Sequence, residues 1–372
     1  MPTRTRATAH RAERRTVRTP LPALLFGAAV SLLSGCTGSF SPGYYWQAAN
    51  GQFELWRRAR PLDEVVADPQ TEALLRERLA LAREIRDWAS RELALPDNGS
   101  YRRYADLERR FVVWNVFATE PLSVRPRQSC FPVAGCVSYR GFFAEADARA
   151  HADALAGEGL DVHVSGVPAY STLGWFDDPL LNTFIHYPET ELVRLIVHEL
   201  AHQLLYVRDD TEFNESFASA VEEEGVRRWL DRPGKAALRP AFARAQAMRQ
   251  DFAELVTRYR GALDDLYAGD QDDEAKRRGK ADLLDALGRE YIRIRDSQWN
   301  GFRGYDRWFA QDINNATLAS VGLYTAAQPA FTRLIDSSPD LPSAWASLRE
   351  LAALPRNERR ARLHLPPHTD TP

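Results

Sequence analysis

The spacing of apolar positions divides the chain into a mixed first half and a helical second half. Between residues 69 and 94, Leu74, Leu75, Leu79, Leu81 and Ile85 fall in a helical rhythm, which predicts an amphipathic helix ending before the turn Pro96-Asp97-Asn98-Gly99. From 110 to 143 the pattern changes, because RFVVWNVFAT and CVSYRGFF are rich in β-branched and aromatic residues and read as strands. An Ala-rich helix over 144–157 then leads through Gly157 and Gly159 to another strand candidate, LDVHVSG. The segment AYSTLGWFDDPLLNT follows, its first half strand-like. Beyond residue 189 the helical rhythm is nearly continuous, over 189–206, 212–231, 236–267 and 272–298. The expected class is α+β and predominantly α-helical, with a small β-sheet ahead of a helical C-terminal half. No repeat or flexible linker interrupts the body. It is expected as one unit, 61–372, comprising a helix and small-sheet region (61–188), a helical hairpin (189–235) and a C-terminal helical region (236–372).

The N-terminus changes this picture. Arg4, Arg6, Arg11, Arg14, Arg15 and Arg18 precede the apolar run PLPALLFGAAVSLLSG, the layout of a signal peptide over 1–35. The run is short for a spanning helix, which needs about 20 apolar residues. It ends in Leu33-Ser34-Gly35-Cys36, which resembles the bacterial lipobox and implies lipidation of Cys36. Thr37 rather than Asp follows, which by resemblance to lipoproteins of two-membrane bacteria implies an outer-membrane anchor facing the periplasm. Residues 36–60 form a lead-in, SFSPGYYWQAANGQFELW, too aromatic for a disordered tether and expected to pack onto the body.

With 372 residues, 44% of them hydrophobic, the chain can build a sizeable core. A net charge of −3 supplies no field for a polyanion, so nucleic acid is excluded as a partner. Besides Cys36, the chain has Cys130 and Cys136, six apart in SCFPVAGC. In an oxidising compartment they read as a small-loop disulfide; the rival zinc pair has no second close pair of cysteines and no histidine nearby.

The candidate chemistry lies in HELAHQLLYVRDDTEFNESFASAVEEEG. His198 and His202 are four apart in a helical segment, so their imidazoles share one face, as adjacent ligands of a tetrahedral metal require. Glu199 lies about 100° further round, placed to act as a general base on a water. The third ligand candidate is Glu215, on a second helix that Asp209, Asp210 and Thr211 can cap and that folds back on the first. Flanked by Phe213 and Phe217, Glu215 is expected to face inward, where a lone carboxylate is costly. Glu222, seven residues on, shares its face and can accept the free N–H of a ligating histidine. The reverse assignment, Glu222 as ligand and Glu215 as support, remains open. Glu212, Glu223 and Glu224 are expected in solvent. A merely solvated acidic hairpin is the competing reading; the spacing, the helical context and Asn214-Glu215 favour metal.

HELAHQ followed by FNESFASAVE resembles the gluzincin metallopeptidases, in particular the M1 aminopeptidases. SCFPVAGCVSYRGFF, AYSTLGWFDDPLLNT and NNATLASVGLY resemble a bacterial lipoprotein family described as predicted aminopeptidases. The resemblance implies a zincin-like fold and one Zn2+ per chain on His198, His202 and Glu215, with Glu199 as base. Two departures stand out. The twelve residues between His202 and Glu215 make a shorter gap than in M1 enzymes, and no counterpart of their amine-binding GAMEN-like segment is present. In gluzincins an edge strand ahead of the HExxH helix holds substrate backbone, a position occupied here by Tyr170, Ser171, Thr172, Leu173 and Gly174. Asp177 and Asp178 could receive a substrate ammonium, or simply start a helix. Tyr324, Tyr170 and Tyr305 are candidates for stabilising the oxyanion, with Tyr324 preferred because M1 enzymes use a downstream tyrosine.

The expected function is zinc-dependent hydrolysis of peptide bonds in the cell envelope, as an aminopeptidase, with peptide and membrane as partners. The alternative is a zinc-containing lipoprotein that binds or scaffolds without hydrolysis. Substrate preference and oligomeric state leave no mark in the sequence.

Overall fold

The computed structural model describes residues 42–131, 135–321 and 327–365. Cys36 and Tyr324 lie outside these residues.

The helix Glu189–Leu204 is the centre of the fold. Leu192, Val193, Ile196, Val197, Leu200 and Ala201 are all fully buried, a stripe at i, i+1, i+4 and i+5 spacing that packs into the main core. Arg194, His198 and His202 recur every four residues beside that stripe and face the next helix, Thr211–Leu230. The two helices run antiparallel, since Arg194 pairs with Glu222 while His202 approaches Glu215. Asp210 caps the second helix by accepting the Phe213 N–H. Asn214 closes the turn between the helices, accepting from Val207 N and donating to Val207 O, both at 2.7 Å. Close approach is possible because Gly225 lacks a side chain: a Cβ there would lie 2.9 Å from Val197 Cγ1.

Ahead of this hairpin, Ala73–Glu92 matches the first expected helix and packs on the histidine helix through Leu79, Ala82, Ile85 and Ala89. RFVVWNVFAT supplies the central strand, Val113–Thr119, of a three-stranded antiparallel sheet flanked by Arg140–Phe142 and Asp161–Val167. The helix Glu145–Gly157 covers one face of it through Ala148 and Ala152. A second small sheet joins Arg60–Pro61, Arg103–Ala105 and Leu180–Leu181, the last two parallel. Ser129–Phe131 and Gly135–Val137 form a hairpin with Cys130 opposite Cys136, and these two cysteines are disulfide-bonded. The lead-in is helical, Pro42–Arg58. Beyond the hairpin, Arg239–Ala268 and Asp273–Ser297 form a second helical pair with its own core around Phe252, Leu255, Leu287 and Tyr291. Short helices at Gln328–Ser337 and Leu341–Ala352 back the glutamate helix. The described residues from Pro42 onward form one compact unit, α-rich with small sheets.

Two expectations fail here. AYSTLGWF is not an edge strand. Residues 168–179 form a loop with a turn closed by Trp175 N on Thr172 O at 3.1 Å, and both central residues are left-handed, Leu173 at φ 55° and Gly174 at 81°. The Asp178 carboxylate takes the place of a strand partner, accepting from Thr172 N at 2.9 Å and Thr172 Oγ1 at 2.8 Å. Nor does Asp177-Asp178-Pro179 start a helix; it leads into the two-residue strand Leu180–Leu181.

Candidate metal centre

The His198 and His202 Nε2 atoms are 3.1 Å apart. Glu215 reaches both, with Oε2 3.4 Å from His198 Nε2 and Oε1 3.7 Å from His202 Nε2. Zinc–nitrogen bonds of about 2.05 Å at tetrahedral angles put adjacent ligand atoms about 3.3 Å apart. The separation of the two nitrogens, and of each from its own Glu215 oxygen, is therefore near the edge length of a zinc coordination shell. Among the described residues these three side chains form a cluster able to hold a metal, their ligand atoms all within 4.8 Å of one another.

Glu215 occupies the expected place for a different reason than its neighbours suggested. Phe213 and Phe217 are each two residues away, about 200° round the helix, and so on the opposite side from it. Their rings pack against Phe331 and Trp345. Glu215 itself faces the histidine helix and keeps partial exposure, its side chain 34% accessible. The carboxylate is held inward by the imidazoles it meets.

Glu222 lies on the other side of the His198 ring, away from the cluster. Its Oε2 lies 3.0 Å from His198 Nδ1, the nitrogen turned away from the cluster, so Nε2 is left to face Glu215 and His202. Glu222 Oε1 accepts from Arg194 Nε at 3.1 Å and Nη2 at 2.6 Å. Arg194 also meets Glu191, which pairs with Arg249, so a chain of charges fixes the support. His202 has no such partner: its Nδ1 is buried without a hydrogen bond among the described residues.

Electrostatics follow from this packing. Burial disfavours charge on His198, but hydrogen bonds to Glu215 and Glu222 outweigh it and raise the pKa well above the ordinary value. Burial, reinforced by the neighbouring His198, lowers His202 to about 4. Glu215 and Glu222 are desolvated as well, yet their histidine and arginine partners hold both below the usual carboxylate range.

Glu199 differs, because burial dominates and raises it to about 7, against a lowering by His198. A carboxyl so tuned can take and return a proton near neutrality. It accepts a hydrogen bond from Ser171, whose hydroxyl also lies 3.4 Å from Asp178 Oδ2. Ser171 has one proton and can donate to one of the two carboxylates at a time. Asp178 is buried and raised to about 6 by desolvation. Tied to Thr172 and Ser171, it anchors the loop and is not open to a substrate ammonium; Asp177 beside it is exposed.

Several residues at the centre went unread in the sequence. Gln203, immediately after HELAH, accepts from Asn98 Nδ2 at 2.8 Å and donates to Ser100 Oγ at 3.1 Å, docking the Pro96–Tyr101 turn onto the end of the histidine helix. The fully buried Arg86 holds that turn through the carbonyls of Pro96, Asn98 and Ser100. Tyr101 N donates to Asp178 O at 2.6 Å. The Tyr101 hydroxyl is buried without a partner among the described residues, within the fields of Glu199 and Asp178. The signal available was the turn tetrapeptide, which says nothing about what it docks against.

Of the tyrosine candidates, Tyr305 stacks on Phe252 at 4.2 Å in the second core, and Tyr170 packs edge-on against Phe143 at 5.3 Å beside the loop. Glu212, Glu223 and Glu224 are not solvent-facing acids. Glu212 pairs with Arg360, Glu223 accepts from Gln246 and Gln328, and the buried Glu224 pairs with Arg227 and Arg228.

The family described as "Putative aminopeptidase" matches residues 43–363, nearly the whole described chain, and the protein belongs to it. That membership makes it a member of a peptidase family. No curated protein and no solved structure matches the chain.

Proposed function

We propose that the protein is a zinc-dependent peptidase of zincin-like architecture that acts as an aminopeptidase in the cell envelope. The observation that carries this reading is the cluster of His198, His202 and Glu215, each histidine Nε2 within 3.7 Å of a Glu215 oxygen and the two nitrogens 3.1 Å apart, with Glu199 adjoining it at a pKa of about 7. Zinc bound there would polarise the scissile carbonyl and lower the pKa of a water toward about 7.

The chain's own residues would do the rest. Glu199 takes the proton of the attacking water and delivers it to the leaving amine. Ser171 orients Glu199, and Glu222 fixes the His198 tautomer. The loop Tyr170, Ser171, Thr172, Leu173, Gly174 borders the substrate path as a rigid turn, so peptide pairing along an extended edge is not part of the reading. Tyr324 remains the candidate oxyanion donor. Cys36 would carry the lipid that places the enzyme on the outer membrane, facing the periplasm.

Zinc analysis of protein beginning at Thr37 is expected to return about one equivalent after supplementation; less than about half would overturn the metal assignment. On a mixed peptide library, wild type should release single N-terminal residues while Glu199→Gln is inactive. Equal turnover by the two would remove Glu199 from the mechanism, and internal cleavage would replace aminopeptidase by endopeptidase.

A further inference from the structure

The helix Pro42–Arg58 carries large apolar side chains on both its inward and its outward side. Its solvent-facing positions recur at helical spacing and carry Trp46, Ala49, Asn50, Phe53 and Trp56. Trp46 is 70% exposed, Phe53 62% and Trp56 41%. The inward side buries Leu55 and packs Tyr44 on Phe131 and Phe142, and it also turns in the amide ends of two half-buried glutamines. Gln47 Nε2 and both amide atoms of Gln52 are buried without hydrogen-bond partners among the described residues. A helix that leaves three large rings in water while burying amides opposes the usual amphipathic order, unless something apolar covers its outer face.

The aromatic surface continues past the helix. Trp56 packs edge-on against Phe176 with ring centroids 4.6 Å apart, and Phe176 and Trp175 are themselves 47% and 69% exposed. At about 200 Å² per aromatic side chain, these five residues leave on the order of 600 Å² bare, the upper end for a soluble monomer. Of the exposed charges beside the stripe, Arg57 and Arg60 are basic, Arg60 being paired with Asp68, and Asp177 next to Phe176 is acidic.

Five residues separate Cys36 from Pro42. A chain of that length reaches about 20 Å when extended, so a lipid on Cys36 would hold this helix beside the bilayer. We infer that Trp46, Phe53, Trp56, Trp175 and Phe176 form a docking face for the lipid bilayer surface, their rings seated at headgroup level. Among the described residues no helix is long and apolar enough to cross a membrane, so the contact is made by lying on it. The loop bearing Trp175 and Phe176 also bears Ser171, the hydrogen-bond donor to Glu199. Docking would therefore bring the loop that carries this donor to the membrane surface. The choice of occupant rests on the lipid-site reading of Cys36, whereas its test needs neither acylation nor zinc.

Protein beginning at Thr37 contains the whole compact unit and no acyl chain. It is sedimented with vesicles of phosphatidylcholine, alone and mixed with phosphatidylglycerol, beside the double variant Trp46→Ser, Phe53→Ser. Wild type should co-sediment and be quenched by brominated lipid, and the variant should bind about tenfold more weakly or worse with an unchanged Tm. Wild type remaining in the supernatant with both vesicles would overturn the inference, as would equal binding by the variant. No vesicle binding together with a raised KM of the variant for soluble peptide would assign the face to substrate instead and overturn it too. Glu199→Gln should bind vesicles like wild type, so loss of the peptidase reading would leave this result standing.

Discussion

Replacing Glu222 with alanine removes the acceptor that lies 3.0 Å from His198 Nδ1 and the carboxylate that Arg194 grips through two nitrogens. His198 would keep its place on the helix but lose the bond that fixes its tautomer and ring angle. Such partners of metal-binding histidines are worth about 10–100-fold in metal affinity, or about 1.4–2.7 kcal/mol. The protein itself should lose about 2 kcal/mol, because a partly buried N–H is left without an acceptor. The loss stops short of that for a stranded buried charge, since Arg194 retains Glu191 at 2.9 Å. Glu222→Gln keeps an acceptor for His198 while deleting the charge, so its zinc affinity should fall by less than about tenfold. Competition with a chromophoric chelator measures the affinities, and urea unfolding of the metal-free proteins measures the stabilities. Zinc affinity of Glu222→Ala within about twofold of wild type, with the fold intact, would refute the supporting role. Abolition of binding by Glu222→Gln would make Glu222 a ligand.

Other predictions probe the scaffold. Gly225→Ala would place a Cβ 2.9 Å and 3.1 Å from the Val197 methyls and 3.2 Å from Leu93 Cδ1. Because valine is stiff at χ1 in a helix, the two helices must part, at about 1–3 kcal/mol in urea unfolding despite alanine's better helix propensity; unchanged stability would contradict the close approach. Arg86→Leu leaves the carbonyls of Pro96, Asn98 and Ser100 without their donor and should cost about 3–5 kcal/mol, with Arg86→Lys recovering little because one ammonium cannot span them. A melting temperature like that of wild type in Arg86→Leu would show the turn to be held otherwise. Burial lowers His163 from 6.5 to about 4. The folded state then binds fewer protons than the unfolded one, so this contribution is present above pH 6.5 and lost as pH falls toward 4. It amounts to about 2–3 kcal/mol, since the ring keeps some exposure. His163→Gln should flatten the stability curve over that range, and parallel curves would refute the assignment.

Local pattern made the helices legible where one face was apolar and the other polar: Ala73–Glu92 and Glu189–Leu204 lie close to their predicted spans. It misread Tyr170–Gly174, because alternation of size imitates a strand while the chain there is bent by two left-handed residues and bonded to Asp178. Solvent exposure of Glu212 and Glu223 was also misread, because their partners Arg360, Gln246 and Gln328 come from remote segments, whereas Glu224 is buried beside Arg227 and Arg228 of its own helix.

What the sequence determined by itself is the local geometry of the candidate centre. Four-residue spacing on a helix places His198 and His202 on one face, and seven-residue spacing aligns Glu215 with Glu222, since both follow from 3.6 residues per turn. Which carboxylate meets the two histidine Nε2 atoms and which meets His198 Nδ1 was decided by the antiparallel packing of the two helices, with Gly225 at their close approach. The same holds for Ser171 against Glu199, and for Gln203 and Arg86 around the Pro96–Tyr101 turn. These contacts join residues far apart in the chain, and helical periodicity carries no information about which distant side chain will fill the space across from it.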